Sequence, residues 1–282
     1  MKVSIISPTW NRAATLARTI ESVETQSLRP FRHVIVDNLS EDDTPELVAR
    51  YMDRAPYSVV HIRERDSGIY DAMNKGVMAA GGEALYFLND DDRLFNPNSL
   101  KLMSKALSLA PEGIAFGDVL VSDFRQNTTR IRTHRQVNRL TLAEKSICQQ
   151  ATLYSRRAIE AVGPFDQSLK AAGDYDWMIR AMVRHSLLAV YLRHVVAVFA
   201  EGGISSDPSF ATEFHEEMNH VANRHLSAAI RERANRYRRF WRKIPWGLSW
   251  CPGSEKSDRL RVISRSIIGN TLILDPIALF DF

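Results

Sequence analysis

The 282-residue sequence has only two cysteines, Cys148 and Cys251, which fit neither a metal-binding cluster nor a disulfide framework. A reduced, cytosolic setting follows as the expectation. No window approaches the roughly 18 consecutive apolar residues of a membrane-spanning helix. The opening stretch, MKVSIISPTWNR, is too short an apolar run for a signal peptide and fits a first strand. Internal repeats and low-complexity tracts are missing. The turn SPTWNR lacks the glycine fingerprint of a dinucleotide site, which argues against an NAD-linked dehydrogenase. No loop rich in glycine and basic residues is present to cradle a triphosphate, which argues against nucleotidyl transfer.

What is there is an ordinary globular composition, 45% hydrophobic and 25% charged, sufficient for one large domain or a domain with an appendage. The net charge of +4 is unevenly placed. Residues 1–207 hold 25 basic and 25 acidic side chains, and residues 208–282 hold 12 and 8, so the tail supplies the excess. Basic surfaces attract phosphates, whether of nucleic acid, lipid headgroups or nucleotides.

Strand-like and helix-like segments alternate at short spacing. VSIISPT, FRHVIVD, YSVVHIR and ALYFL read as buried strands, and the segments between them carry apolar residues at helical intervals. This pattern predicts an open, largely parallel α/β sheet. Ligands bind such sheets beyond the carboxyl ends of the strands. The four polar tips SPTWNR, DNLSEDDT, ERDSG and NDDD should therefore line one edge. Further on, LKLMSKALSLA and GDYDWMIRAMVRHS read as helices, with GIAFGDVLVSD and LAVYLRHVVAVF as strands. The segment 125–139 is polar and basic without clear periodicity. Gln149 and Gln150 precede a further strand. From about Pro208 the pattern changes to amphipathic helix and then to RERANRYRRFWRKIPWGLSW.

The run Asn89-Asp90-Asp91-Asp92 places three carboxylates together at the end of a strand, where like charges repel. A hard divalent cation shared with substrate phosphates would relieve that repulsion. An acidic turn with capping carboxylates is the structural alternative.

SIISPTWNR, DNLSEDDT, ERDSGIYDAMNKG, FLNDDD, GPFD, GDYDWMIR and GGIS, in this order over residues 1–206, resemble the inverting glycosyltransferases of the GT-A fold, in the large second sequence family. Within that family the likeness is to bacterial enzymes that assemble surface polysaccharides, of colanic-acid type. The resemblance implies a catalytic domain over 1–207, with a nucleotide-sugar half at 1–95 and an acceptor half at 96–207, followed by a helical, basic and aromatic extension at 208–282. It implies donor contacts by Pro8, Thr9, Asn11, Asp37, Asp66, Lys75, Asn89 and Asp90. It also implies Mg²⁺ or Mn²⁺ held chiefly by Asp91, with Asp92 or Asp90 as the second carboxylate, and Asp174 as the base that takes the acceptor's proton. Helix capping serves Thr9 or Asn11 equally well, an ordinary turn serves Asp37, and a solvated helix position serves Lys75.

The chain departs from the family pattern at three places: Met73 stands where many relatives carry arginine, Asn89 where the metal motif starts with aspartate, and Gly173 where an acidic residue commonly precedes the base. Asp176 could be a helix-terminal carboxylate, Trp177 a core residue, and Arg180 a structural ion-pair partner. His194 and His215 could complete a metal shell. Residues 231–250 fit a helix packing its aromatics on the domain, an oligomer contact, or an anionic membrane surface. The implied partners are a nucleotide-diphospho-sugar donor and a glycan or lipid-linked acceptor at that surface. That places the protein in the cytoplasm, peripheral on the inner face of the membrane. An RNA-binding module built on the arginine tail is the alternative outside enzymes. It leaves Asp174 without purpose, and no nucleic acid is expected.

Overall fold

The computed structural model describes residues 1–123, 127–135, 137–201, 211–241, 262–268 and 271–274. The chain opens with β1 (Val3–Thr9), α1 (Ala13–Glu24), β2 (Arg32–Asp37), α2 (Thr44–Arg54), β3 (Ser58–Arg63), α3 (Ile69–Ala79) and β4 (Ala84–Phe87). All seven residues of β1 are buried, as a central strand covered on both faces requires. β1 lies between β2 and β4 and β2 pairs with β3, every pairing parallel. The carboxyl ends of all four strands therefore share one edge, as the alternation predicts.

The second half contributes β5 (Arg93–Leu94), α4 (Ser99–Leu107), β6 (Ile114–Asp123), β7 (Thr128–Arg132), α5 (Arg139–Leu142), β8 (Thr152–Ser155), α6 (Arg156–Val162), α7 (Gly173–Ile179) and β9 (Ala189–Glu201). β8 inserts between β4 and β6, antiparallel to both, and β9 runs parallel to β6. The sheet is thus mixed on this side. β7, a basic and exposed strand at the edge of β6, occupies part of the aperiodic segment 125–139.

Successive strand residues feed opposite cores. Ile6, Val36 and Phe87 pack with Tyr70 and Met73 of α3 and Trp177 of α7 on one face. Val3, Ile5 and Tyr86 pack with Leu100 and Met103 of α4 on the other. α3 lies so close to β1 that a Cβ at Gly76 would stand 2.3 Å from Ile6 Cγ2. Only glycine fits there.

α8 (Ala211–His225) and α9 (Ala228–Trp241) follow. Val221, Ala222 and Leu226 bury against Ala172, Tyr175 and Ile179 of the α7 region, so α8 is packed on α7. β10 (Val262–Ile268) pairs with β9 and β11 (Thr271–Leu274) with β10, adding strand to an extension expected to be helical. The motif GGIS and residues 242–250, part of the segment for which a membrane surface is expected, lie outside the described residues. Among the described residues no helix is long and apolar enough to cross a membrane.

Candidate active site

The loops after β1, β2 and β3 are laced together by side chains that the motifs supply. Pro8 and Thr9 end β1. Asn11 has a left-handed backbone, φ 52°, and caps no helix. Its Oδ1 accepts from Glu41 N at 2.7 Å and its own N–H donates to Ser40 Oγ at 2.8 Å. Asp37 is fully buried. It accepts from Ser40 N at 2.8 Å and faces His61 Nε2 at 3.3 Å and Arg63 Nε at 3.5 Å. The N–H of Asp66 donates to Asn38 Oδ1, its carboxylate accepts from Gly68 N, and burial pushes its pKa up.

Lys75 does not reach toward the acids. Its ammonium pairs with Glu64 at 3.2 Å and Asp71 at 3.3 Å and donates to Arg65 O. These contacts spend its charge on the β3–α3 loop and favour the structural role. Met73 is buried in the core and receives a hydrogen bond from Gln149 Nε2 at 3.3 Å, so no cation stands at that position either.

At the tip of β4 the backbone turns, with Asp92 N donating to Asn89 O. Asp92 is 0% exposed, and its Oδ1 accepts from Ala200 N at 2.9 Å. Asp92, expected as a metal ligand, thus uses one oxygen to strap the turn to β9 and leaves the other, Oδ2, buried without a hydrogen-bond partner. The Gln150 amide approaches the second oxygen without reaching hydrogen-bond geometry. Burial, reinforced by Asp91, pushes Asp90 up to about 7. Burial also raises Asp91, while the Arg12 guanidinium at 3.1 Å opposes that shift.

Three adjacent acids with one arginine between them are under-compensated. Asp91 and Asp90 suit a hard cation that takes its other oxygens from phosphate and water. Among the described residues no three His, Cys, Asp or Glu side chains form a complete metal cage.

Asp174 sits in the first turn of α7. Its Oδ1 accepts from Tyr175 N at 2.8 Å and from Tyr70 Oη at 3.4 Å. Burial pushes its pKa up to about 6, while those two donors pull it back. The departure at Gly173 has a steric cause. A Cβ there would stand 2.7 Å from the Tyr70 ring, so the ring fills the space an acidic side chain would need. Trp177 is core, its indole N–H donating to Gly163 O. Asp176 is buried between Arg180, 2.7 Å away, and His225 Nε2, also at 2.7 Å. Both residues are therefore structural.

Asp174 opens on a cavity of about 740 Å³ whose lining includes Arg132, Arg135, Lys145, Gln149, Gln150 and Phe214. Both glutamines are buried. The Cys148 thiol, pushed up to about 12 chiefly by burial, also feels Asp92 and Asp174. The turn of the acidic cluster and Asp174 therefore lie within electrostatic reach of one short segment.

Sequence reasoning missed four residues here. Arg12 lies inside a quoted motif, and its charge beside three acids was the available signal. Tyr70 and Arg63 gain their roles only through tertiary proximity. Glu217, on α8, accepts from the backbone N–H groups of Lys170, Ala171 and Ala172 at 2.8 to 2.9 Å, and so fixes the loop that leads into Asp174.

The family model described as Glycosyl transferase family 2 matches residues 4–163. A PGL/p-HBAD biosynthesis glycosyltransferase of Mycobacterium bovis (strain BCG / Pasteur 1173P2) is 33% identical over 205 residues, covering 72% of this chain and 78% of that protein. The uncharacterized glycosyltransferase YwdF of Bacillus subtilis (strain 168) is 25% identical over 231 residues, 80% of this chain and 84% of that one. Among solved structures, S. aureus TarS 1–349 in complex with UDP-GlcNAc aligns with a TM-score of 0.64 at 19% identity, over 83% of this chain and 70% of that one. The mannosyltransferase PcManGT from Pyrobaculum calidifontis, in complex with GDP-Man and Mn²⁺, aligns at 0.56 and 18% identity, over 86% and 79%. The two structures share the fold, and the sequence matches carry the family: the chain belongs to glycosyl transferase family 2 and is a glycosyltransferase of GT-A fold.

Proposed function

We propose that the protein moves one sugar, with inversion, from a nucleotide diphosphate onto a hydroxyl of a glycan or lipid-linked oligosaccharide in bacterial surface polysaccharide or glycolipid synthesis. The observation that carries this reading is Asp174, a carboxylate whose pKa is raised to about 6 and which faces a cavity large enough for a saccharide. A base works best with a pKa near the operating pH. Asp174 takes the proton of the acceptor hydroxyl as that oxygen attacks the anomeric carbon. The bond to the diphosphate breaks on the opposite side, and one displacement inverts the centre. Pro8, Thr9, Asn11, Asp37 and Asp66 support the edge where the nucleotide would lie, and the Asn89 amide would accept a ribose hydroxyl.

Asp91, with Asp90, would hold Mg²⁺ or Mn²⁺, which when bound supplies neutralising charge for the departing diphosphate. The test is a panel of nucleotide sugars with either metal, applied to the wild type and to Asp174→Asn. Thermal stabilisation by the donor should survive the substitution while turnover falls by about 10²- to 10⁴-fold, the usual contribution of a general base. Turnover unchanged in Asp174→Asn removes the assignment. The basic segment 231–250 would attach the enzyme to an anionic inner leaflet. Full-length protein should float with vesicles containing anionic lipid and a 1–230 form should not; flotation of both would contradict that attachment.

A further inference from the structure

Residues 125–139 contain five arginines and a histidine. Arg130 is paired with Glu201 at 2.6 Å. His134 is buried, its Nδ1 2.9 Å from Gly117 O and its Nε2 accepting from Cys148 N. Burial lowers its pKa, which leaves it neutral. Arg132 and Arg135 point into a different role: both line the cavity on which Asp174 opens, and Lys145 lines it with them. Arg135 lies beside the Tyr191 hydroxyl. The guanidinium of Arg132 stands over the Phe199 ring, 5.8 Å from its centroid. Neither Arg132 nor Lys145 has an ion-pair partner among the described residues, and both are exposed. Glu144, the other carboxylate of the lining, is already engaged within the protein.

We propose that this cavity is an acceptor subsite for an anionic saccharide. The acceptor hydroxyl goes to Asp174, and a phosphate or carboxylate on the same acceptor meets Arg132 and Lys145. Phe199 and Phe214, also in the lining, supply an apolar wall for a sugar face or an aglycone. Guanidinium binds phosphate and carboxylate through paired, planar donors, and ammonium adds a point charge. Unpaired cations at the mouth of a concave site are placed to steer and hold an anion. They are also set apart from the donor edge, because the lining includes none of Thr9, Arg12, Asp90 or Asp91. The inference rests on Asp174 being the base, and it adds the charge class of the acceptor.

The test uses the full chain and three probes, glucose 1-phosphate, glucuronic acid and methyl glucoside, with binding measured by ligand-observed NMR at low salt. The wild type should bind one or both anionic probes at least tenfold more tightly than methyl glucoside. Which anion is preferred tells phosphate from carboxylate. The double variant Arg132→Gln/Lys145→Gln, altered at two exposed positions, should lose that preference while keeping its thermal protection by UDP or GDP with Mn²⁺. Equal binding of charged and neutral probes by the wild type overturns the proposal. So does loss of nucleotide protection in the double variant, which would give these cations to the donor diphosphate. Donor hydrolysis that depends on Asp174 is followed in parallel. If it is present and the charge preference is absent, only the acceptor subsite fails; if it is absent, the assignment of the base fails.

Discussion

At Asp174 two hydrogen-bond donors compete with burial for control of one proton. Burial raises the carboxyl to about 6, and the Tyr175 N–H and the Tyr70 hydroxyl oppose it. The base form is lost as pH falls through that value, so kcat/KM should decline on the acid side of about 6. Tyr70→Phe removes a donor that favours the ionised form. Its acid limb should therefore move to higher pH by a few tenths of a unit, with a modest loss at neutral pH. A pH–rate profile of the two proteins checks this, and a limb that stays still or moves to lower pH contradicts the coupling. Asp174 is singled out in sequence only by its place before an aromatic residue in GDYDW. The partnership of Tyr70 with Gly173 was not legible, because a clash between positions 103 apart in sequence leaves no local trace. The shape of the acidic run was not legible either: β4 ends at Phe87, so Asp90 to Asp92 lie in a turn, where the alternation of strand side chains has lapsed.

Among elements, the four parallel strands and their helices were legible because buried strands and amphipathic helices differ in period. The antiparallel insertion of β8 was not, since four buried residues carry no sign of direction. Least legible was the service α8 gives to α7. Glu217 is an ordinary acidic residue of an amphipathic helix in sequence. In the fold its carboxylate collects three N–H groups from Lys170 to Ala172, directly before Gly173 and Asp174. Glu217→Ala leaves those donors without their acceptor, a loss of about 1–3 kcal/mol. It should lower turnover about tenfold or more by loosening the loop that aims the base. Glu217→Gln, with one carbonyl oxygen in place of two carboxylate oxygens, should fall between. Hydrogen exchange at the amides of residues 170–172 gives a readout independent of activity. Unchanged protection in Glu217→Ala would remove the claim.

For the molecule as a whole, the change of sequence pattern near Pro208 suggests a boundary at 207, yet packing runs across it. Val221, Ala222 and Leu226 are buried against Ala172, Tyr175 and Ile179, and α8 also supplies Glu217 and the buried His225–Asp176 contact. Burial of a valine and a leucine alone is worth roughly 3–6 kcal/mol. A domain of this kind has a net stability of only about 5–15 kcal/mol, so the cost of removing α8 is comparable to the whole. A 1–207 form should be insoluble or lack a cooperative thermal transition. A 1–241 form retains α8 and its contacts, and should melt cooperatively and keep the Asp174-dependent chemistry. Thermal melts and activity of the two forms beside the full chain separate the cases. A 1–207 form that melts like the full chain and turns over donor would make α8 an independent appendage. The packing of α8 on α7 predicts the first outcome, with residues 211–225 in the same folding unit as α7 and the composition shift at 208 a change in surface chemistry inside it.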